Sequence, residues 1–329
     1  LLGNVYEQLG ELGRALQFHE HCLAVCRELG RRRGMAAALH NLGVTQARLG
    51  RRDDAARSYR QSLRLARRSR DLAGVAVTIA NLANLRAEQG ELGDAERLMR
   101  RSLALRRRIG DLAGIAVTTG NLAGIHRARG RLGAALSLLE SAIRRLRALG
   151  ELQGEVQFLL QAAAIHLLAS DLGGARALLS RALARAREGS LRSLEADAEM
   201  LLGRLERRVD PGGEEWARRL ERALQLHREV GDRARMAATL LEIALGERDR
   251  GRRGSALRAW RTAVDLAAEA GSPDLRARAD LVRGRIDADR VPSQEALEAL
   301  ARFHAYADAS ARRDYGVAAS YALARAFLA

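Results

Sequence analysis

The chain has 329 residues, of which 47% are hydrophobic and 3% aromatic. That is enough to bury a large core, with few of the rings that stack on nucleic-acid bases. The net charge of +16 rests on 56 basic residues that are all arginine. With only Cys22 and Cys26 there is no disulfide framework, which points to a reducing, cytoplasmic setting. No apolar run reaches the roughly 18 residues that a membrane-spanning helix needs.

The chain opens at Leu1-Leu2-Gly3, without Met, at a point that matches Asn41-Leu42-Gly43 further on. It reads as part of a longer protein, entered midway through a first helix. Leu2-Gly3-x-x-Tyr6 packs that helix, and Gly10 is expected to end it, since glycine tolerates the left-handed conformation of a helix end. A second helix is expected over about 12–29, with Ala15, His19, Cys22, Leu23 and Cys26 on its buried face and Gly30 as its stop.

Residues 31–200 repeat this arrangement four times. Asn41-Leu42-Gly43, Asn81-Leu82-Ala83 and Asn121-Leu122-Ala123 open successive copies forty positions apart. Each copy then shows Gly (Gly50, Gly90, Gly130), Ala (Ala55, Ala95, Ala135), a small-plus-aliphatic pair (Ser62-Leu63, Ser102-Leu103, Ala142-Ile143) and an acid (Asp71, Asp111, Glu151). A fixed period at helical spacing predicts a repeat solenoid. Each unit is a helix A, over about 71–89 in the third, followed by a helix B. Asp71 and Asp111 stand where an N-cap belongs. Ala55, Ala95, Ala135 and Ala175 let the two helices approach, and Leu63, Leu103, Ile143, Leu183 and Leu224 fill the layer between units.

Residues 201–329 drift from the pattern. One extra residue within Val209-Asp210-Pro211-Gly212-Gly213 lengthens a turn, and Trp216 replaces the small Ala. Ala256, Trp260, Ala263 and Val264 mark a seventh unit, while Pro273 and Pro292 suit helix starts. Phe303, Tyr306, Tyr315, Tyr321 and Phe327 gather aromatics near the end, as a capping unit would. The expected fold is all-α, a right-handed α-α superhelical solenoid of about eight helix pairs. It forms one domain over 1–329, with regular repeats over 1–200, divergent ones over 201–290 and a degenerate cap over 291–329.

The pattern Leu2-Gly3-x-x-Tyr6, then Ala15, then Cys22-Leu23 resembles the tetratricopeptide repeat (TPR). Asn-Leu-Gly together with Gly110-Asp111-Leu112-Ala113-Gly114 is similar to the longer, forty-residue form found in kinesin light chains and Pins-type polarity adaptors. Bacterial signalling proteins carry similar arrays beside kinase, ATPase or DNA-binding domains. The resemblance implies that the A helices line a concave face and hold an extended or helical peptide there, with asparagines bonded to its backbone. Carried over by position, the asparagines are Asn4 and Asn84 at one site and Asn41, Asn81 and Asn121 at another. Val44 and Gly124 interrupt the first row, and Gln161 continues the second. Arg48, Glu88 and Arg127 complete a polar row on the A helices.

Little else carries chemistry. His19, Cys22 and Cys26 share a helix face, but His19 aligns with Tyr59, Met99, Leu139, Leu179 and Trp260, a packing position; no metal or cofactor is expected. His126 and His166 take the place of Tyr6 and are expected to pack with one hydrogen bond. No nucleophile motif, phosphate loop or paired carboxylates point to an enzyme. Arg27, Arg67, Arg107, Arg147, Arg187 and Arg228 form a column near B-helix ends, where a cation offsets the helix dipole. Arg60, Arg64, Arg68, Arg100, Arg101, Arg108, Arg144 and Arg145 thicken it. Residues 41–160 hold 22 arginines against 11 acids. The expected function is a protein-interaction scaffold binding a peptide, with an acidic one fitting the charge. Two alternatives stand beside it: the regulatory arm of a larger signalling protein, and a polyanion or nucleic-acid surface on the arginine strip, which the scarcity of aromatics disfavours.

Overall fold

Every described stretch of the chain between turns is helical, and the reason is local. Leu, Ala, Arg and Glu fill the forty-residue period, and glycine or a polar residue closes each half of it. The computed structural model describes residues 2–8, 11–287 and 293–309. Gly10, Pro292, Tyr315, Tyr321 and Phe327, and most of the expected cap over 291–329, lie outside the described residues.

Two compact units divide at residue 151. The first holds α1 (Leu2–Gln8), α2 (Leu12–Glu28), α3 (Arg32–Arg48), α4 (Arg52–Arg68), α5 (Leu72–Glu88), α6 (Leu92–Ile109), α7 (Leu112–Ala128) and α8 (Leu132–Ala148). The second holds α9 (Leu152–Leu168), α10 (Leu172–Glu188), α11 (Arg192–Val209), α12 (Glu215–Val230), α13 (Arg233–Asp249), α14 (Arg253–Glu269), α15 (Pro273–Ile286) and α16 (Gln294–Ala309). Odd-numbered helices are the A helices and even-numbered ones the B helices. Within each unit, successive A helices touch, as α3 with α5 and α11 with α13, while each B helix packs mainly on the A helices beside it. The A helices therefore share the inner side of each unit.

That placement is written in the helix faces. In α4 the buried residues Ala55, Tyr59, Ser62, Leu63 and Ala66 form one stripe, and arginines and aspartates cover the rest. In α5, Val75, Ala76, Ile79, Ala80, Leu82, Ala83 and Leu85 bury most of the helix circumference, because neighbours press on it from several sides. Ser62 and Ser102 each donate to an A-helix carbonyl, of Ala36 and Ala76, at 2.7 Å, so the small position also tethers the pair.

The motif glycine answers the aromatic position. A Cβ at Gly43 would stand 2.6 Å from the Tyr59 ring, and one at Gly203 2.8 Å from Leu220. His19 is buried at the same register, as the alignment expects. Cys22 is exposed and Cys26 half-buried. The expected burial of Cys22 does not hold: of the described residues of α2 only Ala15 and His19 are buried.

Helix ends follow the period. Asp71 and Asp111 accept the N–H of Gly74 and Gly114 at 2.9 and 2.8 Å, and Asp171 and Asp232 cap α10 and α13 in the same way. Gly50, Gly90 and Gly130 have φ of +75°, +80° and +74° just past the A helices. At three such points a side chain is forced into the left-handed region: Arg70 (φ 52°), Ser170 (φ 59°) and Ser190 (φ 53°). Pro273 opens α15 behind a Ser272 cap. Phe303 of α16 is fully buried against Ala277 and Ala307, with Tyr306 packed on that cluster, as a covering helix would be.

Arginine plays more than one part. In the second unit it covers buried carboxylates in pairs: Glu155 lies 3.3 and 3.1 Å from Arg181 and Arg185, and Glu199 lies 2.7 and 3.0 Å from Arg187 and Arg219. Arg187 of the column thus bridges α10 to α11, beyond any effect on the helix dipole. In the first unit, Arg27, Arg67 and Arg107 stand exposed in the last turns of α2, α4 and α6. Residues 1–151 carry 27 arginines against 14 acids, +13 of the whole +16.

Candidate functional site

The site lies on the A helices of the first unit. Between α3 and α5, over the Tyr59 ring of α4, is a recess of about 150 Å³. Val44, Ala47, Leu85 and Tyr59 give it apolar walls, and Arg48, Asn81, Asn84 and Glu88 give it polar ones. Four residues chosen from sequence alone are therefore brought together. They meet because Arg48 and Glu88 are one period apart, as are Val44 and Asn84, and successive A helices touch.

A polar chain sets the orientation of Asn81. His40 Nδ1 lies 3.0 Å from Thr78 Oγ1, and its Nε2 lies 3.2 Å from Asn81 Nδ2. With the Asn81 amide in this orientation its nitrogen donates, so Nε2 accepts and the proton is placed on Nδ1. Thr78 in turn donates to the Gly74 carbonyl at 2.8 Å. Burial lowers the His40 pKa, which favours the neutral ring that this arrangement needs. Asn81 keeps its carbonyl oxygen and one N–H for a ligand. That pair of groups complements a peptide unit, one acceptor against one donor.

The rest of the recess is tuned by burial. Desolvation raises the Tyr59 phenol above the ordinary tyrosine range, and the Glu88 and Glu7 carboxylates push the same way. Desolvation raises Glu88 as well, with Arg52 opposing it. Glu88 is exposed and lines the recess.

Asn4, Asn41 and Arg48 form an adjoining patch across α1 and α3. Asn41 Nδ2 lies 3.4 Å from Asn4 Oδ1, Arg48 donates to the Glu7 carbonyl at 2.7 Å, and the Thr45 hydroxyl reaches the Glu7 carboxylate. Asn121 and Arg127, on α7, do not line the recess; Asn121 is half-buried and Arg127 exposed. The reason is their place on α7, one A helix beyond the α3–α5 recess; at the register of Asn84 that helix carries Gly124, which has no side chain to offer. Gln161 is half-buried on α9, in the second unit. His166 makes the single hydrogen bond expected of it, to Asp171 at 2.7 Å. His126 instead stands 3.7 Å from Glu96 with its Nδ1 unpartnered.

Sequence reasoning missed His40 and took Tyr59 as packing alone. A signal for His40 exists: the same register holds Ala80, Gly120 and Leu160, so a polar residue there needs a partner. Among the described residues no helix is long and apolar enough to cross a membrane.

Comparison with known proteins gives the same architecture. The profile of the tetratricopeptide repeat family matches residues 1–68 and 74–148. A 55-residue stretch is 53% identical to human G-protein-signaling modulator 1, covering 17% of this chain and 8% of that protein. The structure of a Rap protein complexed with competence and sporulation factor superposes with a TM-score of 0.60 at 12% identity, covering 98% of this chain and 96% of that one. A signal transduction ATPase from Pyrococcus horikoshii with a TPR sensor superposes at 0.62 and 14% identity, covering 94% of this chain and 48% of that one. The tetratricopeptide repeat profile thus accounts for nearly all of residues 1–148, and the helix pairs of the second unit share the fold of these helical repeat structures.

Proposed function

We propose that the array is an interaction scaffold that holds a peptide segment on the A helices of its first unit. The observation that carries this reading is the recess at Tyr59, where Asn81 and Asn84 offer amides beside Arg48 and Glu88. Its volume of about 150 Å³ suits one side chain of a bound chain, below the roughly 300–1,000 Å³ of small-molecule pockets. The +13 charge of residues 1–151 favours an acidic peptide. The bound factor of the Rap complex lends support as an analogy of fold. The test is selection of a displayed peptide library on the immobilised chain, followed by affinity measurement. Asn81→Ala with Asn84→Ala is expected to weaken the selected peptides at least tenfold; unchanged affinity would end the assignment.

A second reading rests on charge. Arg60, Arg64, Arg100, Arg101, Arg144 and Arg145 are exposed on α4, α6 and α8 and form a basic strip. Binding of duplex DNA there would weaken with salt at a slope of about −0.9 per phosphate contacted. Absence of any gel retardation at low salt would dispose of it.

A further inference from the structure

A second depression in the first unit shares no lining residue with the recess. Its wall is Gly93, Glu96, Arg97 and Arg100 from α6, with Arg129 and Arg131 from the turn between α7 and α8, and its volume is about 520 Å³. At its centre is Glu96, 4% exposed. Arg100 approaches one carboxylate oxygen at 2.5 Å; Arg129 bonds the other, and Arg131 stands 3.8 Å from it. Arg97 pairs at the rim with Asp94, at 3.0 Å.

The charges do not balance. Four guanidiniums face the Glu96 and Asp94 carboxylates, a surplus of two positive charges, with His126 a further 3.7 Å from Glu96. Each guanidinium has five N–H donors, far more than two carboxylates accept. The cleft also meets the start of α6, where Glu91 makes no side-chain cap. The first-turn N–H groups there favour an anion, and the Arg129 guanidinium lies beside that turn, with Nη2 3.4 Å from where a Cβ on Gly93 would stand. Glu96 holds Arg100 and Arg129 in place, so their geometry is set before any ligand arrives.

We propose that this cleft is a binding site for a phosphoryl-type dianion. Two surplus charges match a dianion better than a single carboxylate. Planar donor forks suit a tetrahedral group with several acceptor oxygens. The volume exceeds one phosphate and leaves room for what carries it, so a phosphorylated side chain and a free phosphate are both sources of this chemistry. The site is independent of the peptide reading of the A helices.

The test is calorimetric titration of the whole chain at low salt with inorganic phosphate, with the peptide Gly-Gly-phosphoSer-Gly-Gly, and with its unphosphorylated form. Arg97→Gln/Arg131→Gln removes two cleft cations whose side chains are 75% and 51% exposed, so the fold is retained. Arg32→Gln/Arg33→Gln makes the same charge change at exposed positions of α3, outside both the cleft lining and the basic strip. Saturable binding is expected, weakened at least tenfold by the cleft pair and less than twofold by the control pair. Tighter binding of the phosphopeptide than of phosphate assigns the source to a partner side chain; equal binding assigns it to free phosphate. Equal weakening by both variant pairs, or no saturation in either arm below about 10 mM, would overturn the site and leave only a diffuse basic field.

Discussion

Trp216 stands where the other B helices have alanine, and the opposing helix has changed to receive it. In the regular repeats the small residue shares a core cluster with a large one on the next A helix: Ala55 with Leu85, and Ala95 with Ile125. At Trp216 the sizes are exchanged. Gly246 of α13 occupies the register of Leu85 and Ile125, and a Cβ there would overlap the indole ring. The ring is 1% exposed, its Nε1 donates to the Pro211 carbonyl at 3.1 Å, and the Arg250 guanidinium lies 4.5 Å from its centroid. Trp216→Ala should cost about 3–5 kcal/mol. Gly246→Leu alone overpacks the site and should cost about 1–3 kcal/mol or more. The double variant rebuilds the Ala–Leu pairing of the regular repeats. It should recover most of the sum, keeping a deficit of about 1–2 kcal/mol for the lost N–H bond and the lost cation–π contact. Urea unfolding of the full chain, followed by helical circular dichroism, gives the four midpoints of the cycle. A double variant destabilised by the sum of the singles, to within about 0.5 kcal/mol, would refute the exchange of volumes.

Other consequences are simpler to read. His227 is fully buried with neither ring nitrogen hydrogen-bonded; burial and Arg235 push its pKa down to about 4 from 6.5, against a smaller opposing pull from Asp232. The unfolded chain therefore takes up this proton first as the pH falls. Stability is full above pH 6.5 and drains toward pH 4, by about 2 kcal/mol at pH 5; His227→Leu should flatten this slope between pH 7 and 5, and parallel slopes would count against it. Ser190→Gly, at φ 53°, should stabilise by about 1 kcal/mol by relieving a left-handed side chain, readable as a raised urea midpoint. Asp111→Ala should cost about 1 kcal/mol or more, because Asp111 both caps α7 and accepts Arg106 at 2.6 Å, and thermal unfolding will show it.

The helix pairs were legible because the period repeats the same physical demands. Asp71 and Asp111 cap where a cap was expected, Gly50, Gly90 and Gly130 turn with positive φ, and Ala55, Ala95 and Ala135 are fully buried. The polar residues of the recess were legible in part. Arg48, Asn81, Asn84 and Glu88 meet because period places them on touching helices, while Asn121 and Arg127 stand one A helix further on, on α7. What stayed hidden depends on pairs drawn from different repeats. Gly246 is an ordinary glycine until Trp216 is placed against it, and His40 is an odd residue until Thr78 and Asn81 close around it. The Arg97–Arg131 cleft needs a helix start and the next repeat's turn brought side by side. The division at residue 151 has no break in period to announce it.

The central claim is that a peptide is held by the A helices of the first unit. The most direct measurement uses a library-selected peptide carrying a benzoylphenylalanine, photocrosslinked to the whole chain and mapped by mass spectrometry. Crosslinks are expected on Val44, Ala47 and Leu85, the apolar wall of the recess. Crosslinks gathered on α16 around Phe303 and Tyr306, with none on α3 or α5, would contradict the account and make the C-terminal aromatic helix the interface.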